Sequence, residues 1–69
     1  MKLSARNQLK GKVKSLTHGA VNSVVVLQLP GNVEVVSIIS RSSAEALNLQ
    51  PGSDAYAVIK ASNVMIAID

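Results

Sequence analysis

The chain of 69 residues has no cysteine, tryptophan or phenylalanine, one tyrosine, one histidine and only four acidic residues. Each scarcity removes a class of protein. Without thiols there is neither a disulfide framework nor a thiolate metal site, and His18 alone cannot build a metal cage, so no directly coordinated metal is expected. Tyr56 by itself cannot form the stacking platform on which single-strand nucleic-acid binders hold bases. The carboxylates Glu34, Glu45, Asp54 and Asp69 are scattered, and with no thiol and one histidine they form no catalytic constellation; a non-enzyme is expected. No apolar run approaches the roughly 18 residues of a membrane span. The first ten residues carry Lys2, Arg6 and Lys10 with no apolar secretion segment behind them. The expectation is a cytoplasmic protein with no membrane partner.

What the chain does have is aliphatic surface, with hydrophobic residues at 48%. A domain of this length buries only about 60% of the surface its unfolded chain exposes, so its core is marginal unless something staples it. The usual staples are disulfides, a structural metal or oligomerisation. With the first two absent, self-association is expected, through an interface of Val, Ile, Leu, Ala and Met of the kind found in permanent assemblies.

Local patterning predicts strands. Lys10, Lys12 and Lys14 alternate with Gly11, Val13 and Ser15, which places the lysines on one wet strand face. Val21 to Leu29 and Val33 to Ile39 are β-branched runs around Pro30-Gly31-Asn32, a hairpin signal. Ser42-Ser43-Ala44-Glu45 has capping-box spacing and predicts a short helix over about Ser43 to Asn48, ended by Pro51-Gly52. Ala55 to Lys60 and Val64 to Ile68 read as the last two strands. The sum is one all-β domain over residues 1–69, an OB-like five-stranded small barrel with one short helix, whose closure would remove exposed edges.

The formal charge is +3, and five of the seven cations fall in the first fourteen residues. The potential is therefore local and favours an anionic partner. Two polar segments, Ser4-Ala5-Arg6-Asn7 and Lys60-Ala61-Ser62-Asn63, each set a cation within two residues of a small hydroxyl. Guanidinium and ammonium supply charge while serine O–H and nearby backbone N–H groups supply directed donors, which together can hold a compact oxyanion. On spacing alone the same residues also read as solvated strand ends. The lysine stripe reads either as protection of an exposed strand face or as the surface of a basic OB-like nucleic-acid-binding module; the lack of aromatics favours the first. His18 is an isolated histidine beside Gly19 in a strand connection, and Ser42, at a helix start, is a cap rather than an anion site because Glu45 would repel an anion.

The two segments, with Gln8-Leu9-Lys10-Gly11-Lys12-Val13, His18-Gly19-Ala20-Val21-Asn22 and Val64-Met65-Ile66, closely resemble the molybdenum-pterin-binding (Mop) proteins, or molbindins, over essentially the whole chain. The resemblance implies a molybdate-binding domain of TOBE type that assembles as a homohexamer, a trimer of dimers. It implies that molybdate or tungstate binds between neighbouring subunits, with Arg6 and Lys60 neutralising the dianion, Ser4 and Ser62 donating hydroxyl bonds and the amides around Ala5 and Arg6 completing the shell. Asn7, His18, Gly19, Ala20 and Ser40 are the further candidates, some for a second class of site at subunit junctions. No organic cofactor and no nucleic acid are expected, although the family name keeps a carrier of molybdopterin open. With no second domain for regulation or transport in these residues, storage and homeostasis are the expected role.

Overall fold

The computed structural model describes residues 1–69. Its elements are strand β1 (Asn7–His18), strand β2 (Asn22–Leu29), strand β3 (Val33–Ser40), helix α1 (Arg41–Ala46), strand β4 (Asp54–Ile59) and a 3₁₀ turn (Ala61–Asn63). One antiparallel sheet carries the order β3-β2-β1-β4. The long β1 is the axis of the molecule, because its first half pairs with β4 and its second half with β2.

Pairing register decides which side chains share a face. Val13, Leu16, Ser23, Val25, Leu27, Ile39, Ala55 and Ala57 lie toward the inner, concave side, where Val13, Val25 and Leu27 form the buried cluster and the others pack on it. A bulge falls between Val13 and Ser15. One extra residue on β1 reverses the parity of everything after it. Without it Leu16 would face water; with it the lysine alternation ends and Leu16 turns inward. Gly11 lies where β1 passes close to β2. A Cβ there would stand 2.6 Å from the Gln28 carbonyl oxygen and 2.8 Å from Leu29 Cδ2, so only glycine lets the strands approach this far.

The lysine stripe is on the outer face, as its period predicts, and two of its three charges are paired while Lys10 is in no ion pair. Lys12 donates to Asp54 Oδ1 at 2.7 Å across the β1–β4 ladder, and Lys14 is paired with Glu34 of β3. The hydrogen bond from Lys12, and then its charge, hold the Asp54 carboxyl below its ordinary pKa of 3.8.

The helix forms two residues earlier than the capping-box reading expects. The cap is Ser40, the last residue of β3, whose hydroxyl accepts from the Ser43 N–H at 3.0 Å, while Glu45 pairs with Arg41 at 2.9 Å instead of closing a box on Ser42. Because β3 runs directly into the helix, Ser40 already has the extended backbone a cap requires, and Ser42 is helical. At the other end, Asn48 takes φ +53°, and the N–H groups of Asn48 and Leu49 return to the carbonyls of Glu45 and Ala44. This is the paired-bond helix stop that an asparagine can make almost as well as glycine.

Two expectations of closure are corrected. There are four strands, not five, and the sheet is open, with β3 and β4 as its edges. Residues 64–69 belong to no strand, and Met65, Ile66 and Ile68 are 93%, 87% and 93% exposed. The alternation in that segment records strand propensity, yet a strand exists only where an edge is within reach. Here the 3₁₀ turn after Ile59 carries the chain away from β4. The concave side is left as an apolar groove reached by Leu27, Val35, Ile39, Leu49, Ala57 and Ile59.

Two outcomes follow from this packing. Gly11→Ala should lower stability by roughly 1–3 kcal/mol, read as a fall in melting temperature, because the inserted methyl meets backbone that cannot yield. For Asp54, a depressed folded pKa means stability that is present above 3.8 and lost as the pH falls through the lower folded value. Melting temperatures of the wild type and Asp54→Asn should therefore differ at pH 6 and converge on acidification through that window; a gap that persists at pH 2 would contradict the ion-pair assignment.

Candidate functional site

The β1–β4 ladder determines where the two polar segments go. Its outermost pair is Asn7 with Ile59, and Asn7 Nδ2 donates to the Ile59 carbonyl at 3.3 Å. Residues 4–6 precede Asn7 and residues 60–62 follow Ile59, so antiparallel pairing releases both segments at the same end of adjacent strands. Gln8 Nε2 donates to the Ala5 carbonyl at 2.9 Å, which ties the first segment back to β1. Lys60 is extended and precedes the 3₁₀ turn, closed by Asn63 N–H to the Lys60 carbonyl at 2.8 Å. Ser4, Arg6, Lys60 and Ser62 are exposed, and Ala5 and Asn7 are half-buried.

Electrostatically the seven cations divide, with Lys2, Arg6, Lys10 and Lys60 in no ion pair. Three of the seven cations, Lys12, Lys14 and Arg41, are engaged by carboxylates. Arg6 and Lys60 are in no ion pair, so their charge is available to an anion. Two cations and two small hydroxyls at one end of the sheet are the chemistry of anion binding.

The remaining candidates sit elsewhere. His18 ends β1, and Ser40 pairs with Asn22 at the start of β2, so His18, Gly19, Ala20 and Ser40 gather at the opposite end of β1 from Arg6. His18 Nδ1 is 2.6 Å from Ser23 Oγ, and Ser23 is fully buried. Gly19 N–H donates to the Asn22 carbonyl at 2.7 Å, making the connection a tight turn. The Ser40 hydroxyl accepts the cap bond from Ser43 and donates to Ser43 Oγ at 2.7 Å, so it is already committed to the helix. The sequence reading passed over Arg41, whose Nη1 donates to the Gly19 carbonyl at 3.4 Å and whose backbone N–H donates to the Val21 carbonyl at 2.8 Å. The available signal was its isolation: Arg41 is the one charged residue between Glu34 and Glu45.

Residues 3–66 match the TOBE domain. A probable molybdenum-pterin-binding protein of Haemophilus influenzae is 46% identical over 69 residues, all of both chains. Among solved structures, MopII of Clostridium pasteurianum superposes with a TM-score of 0.92 at 46% identity, covering 97% of this chain and all of that one. ModG, described as a cytoplasmic molybdate-binding protein and solved with molybdate bound, gives 0.91 at 49% identity over 94% of this chain and 46% of that one. The resemblance seen in Ser4-Ala5-Arg6-Asn7 and Lys60-Ala61-Ser62-Asn63 thus extends over the whole length and the whole sheet, and the chain belongs to the TOBE-domain family, among its molybdenum-pterin-binding proteins.

Proposed function

We propose that this chain binds and stores molybdate, or the isosteric tungstate, in the cytoplasm. The observation that carries the reading is the Asn7–Ile59 pair, which delivers an unpaired guanidinium, an unpaired ammonium and two small hydroxyls to one end of the sheet. Arg6 and Lys60 neutralise the dianion, Ser4 and Ser62 donate to its oxygens, and the N–H groups of Ala5 and Arg6 fill remaining positions. Asn7, held on Ile59, fixes where the first segment starts. The oxyanion is cargo and no organic cofactor is required. Relatives of the same length that carry molybdenum binding in their names, and the molybdate-bound ModG structure, support the ligand class.

The same proposal includes self-association. Fifteen large hydrophobic side chains are exposed, among them the whole Val64–Ile68 tail, and the concave groove is open. A tail from one copy laid along the groove of another supplies the missing fifth strand and dries both surfaces. It also brings Lys60 and Ser62, which lead into the tail, against a neighbouring copy, so that the oxyanion sits at a seam between subunits of a hexamer. His18, Gly19 and Ala20 form a second class of oxyanion site at the far end of β1; Ser40, already capping α1, contributes position rather than a free hydroxyl.

The nucleic-acid alternative is weakened by the pairing of Lys12 with Asp54 and Lys14 with Glu34. The molybdopterin alternative rests on the names of the relatives; a pterin carried through purification would absorb in the near ultraviolet, and molybdate adds no such band.

Titration calorimetry with molybdate tests the main site. Hydrogen bonds to charged groups contribute about 1.5–3 kcal/mol, so Arg6→Ala or Lys60→Ala should weaken binding roughly ten- to a hundredfold, with Arg6→Lys intermediate because it keeps charge and loses the planar fork. Lys12→Ala is the control. Equal loss from Lys12→Ala at physiological salt would mean a diffuse basic surface and sink the proposed shell. For the assembly, light scattering at low micromolar concentration should find an oligomer that a chain ending at Asn63 no longer forms; a folded wild-type monomer under those conditions would overturn the argument from the open groove.

A further inference from the structure

Nothing in the two polar segments accounts for the bonds made around His18 and Gly19. Loops of this length are ordinarily held by their own backbone turn, and this one has that turn in the Gly19 to Asn22 bond. Two side chains from outside the loop are added. From the interior, Ser23 Oγ holds His18 Nδ1 at 2.6 Å, and Ser23 is 0% exposed, so the ring is tethered to a buried side chain of β2. From the surface, Arg41 Nη1 donates to the Gly19 carbonyl at 3.4 Å. Arg41 is itself fixed at two further points, by its backbone N–H on the Val21 carbonyl at 2.8 Å and by Nε on Glu45 at 2.9 Å.

We infer that Arg41 and Ser23 are positioning residues that clamp consecutive loop residues, Gly19 and His18, and preorganise loop 18–20 for its oxyanion. The inference rests on the reading of that loop as the second class of site. Its physical content is that ordering is completed before the ligand arrives, so binding does not spend its free energy on freezing the loop. Arg41 does this by occupying a carbonyl. A carbonyl turned toward an anion repels it; drawn onto a guanidinium, the Gly19 oxygen is held away while the guanidinium charge is largely satisfied by Glu45. Arg41 therefore acts through Gly19 and is not itself a ligand of the anion.

The experiment is molybdate titration of the intact assembly, resolved by calorimetry into classes of site, with amide hydrogen exchange of residues 18–20 in the ligand-free protein. Arg41→Ala should weaken the second class by roughly tenfold, leave the Arg6–Lys60 class unchanged and speed exchange at Gly19, whose N–H is bonded to the Asn22 carbonyl. Because the effect is geometric, it should persist at 0.5 M salt. Arg41→Lys, which can still reach the Gly19 carbonyl, should restore part of both readouts. Ser23→Ala should give the same pair of changes at His18 without altering surface charge. An Arg41→Ala protein with two intact classes and unchanged exchange overturns the clamp while the second site stands. Loss that vanishes at high salt with exchange unchanged makes Arg41 a direct electrostatic ligand and also overturns it. A wild type with one class of site, insensitive to His18→Ala, overturns the second-site reading and the clamp with it.

Discussion

Antiparallel pairing of β1 with β4 is the constraint on which the rest of this molecule depends. It joins the beginning of the chain to its end, and six consecutive residue pairs from Asn7–Ile59 to Lys12–Asp54 maintain the connection. Everything of functional interest at the first candidate site lies just beyond that ladder, so the geometry of Arg6 and Lys60 is inherited from backbone hydrogen bonds and not from contacts between the side chains themselves. Such a site is stiff where it is anchored and solvated where it acts. The same ladder carries the Lys12–Asp54 pair at its other end.

The opposite tendency governs the concave face. Six residues in 69 are fully buried, and only four of them are hydrophobic. A chain with nearly half its residues apolar has placed most of that material where it dries nothing within one copy. The balance is uneven: the strands are well paired and the helix is capped and stopped at both ends, while much of the apolar surface stays exposed in one copy.

Local chemistry was legible in the sequence to the extent that it was local. The Pro30-Gly31-Asn32 turn falls where the residues require it, with Gly31 and Asn32 both at positive φ, and the β2–β3 hairpin follows. The two polar segments could be picked out by composition, although their shared end of the sheet could not, because that depends on a register between residues far apart in the chain. The bulge at Lys14 was hidden, since the lysine alternation runs smoothly into Ser15 and only the inward turn of Leu16 betrays the extra residue. The helix cap was misplaced by two residues because Ser40, Ser42 and Ser43 all offer a hydroxyl, and only the end of β3 decides which has extended backbone. The fifth strand was expected from propensity, which says nothing about whether an edge is available. Arg41 went unnoticed for a related reason: its partner Gly19 is a backbone carbonyl, and a carbonyl leaves no mark in a sequence.

The length of β1 has a consequence for loading. Twelve residues separate the end that bears Arg6 from the end that bears His18, and at about 3.3 Å per residue this strand spans most of the molecule's 36 Å long axis. Mobile ions damp fields over about 8 Å at physiological ionic strength. Oxyanions held as proposed at both ends of one copy would therefore be screened from each other, and filling one end would add no charge barrier to filling the other. Coupling between the two ends within one copy would have to be mechanical, carried along β1 itself.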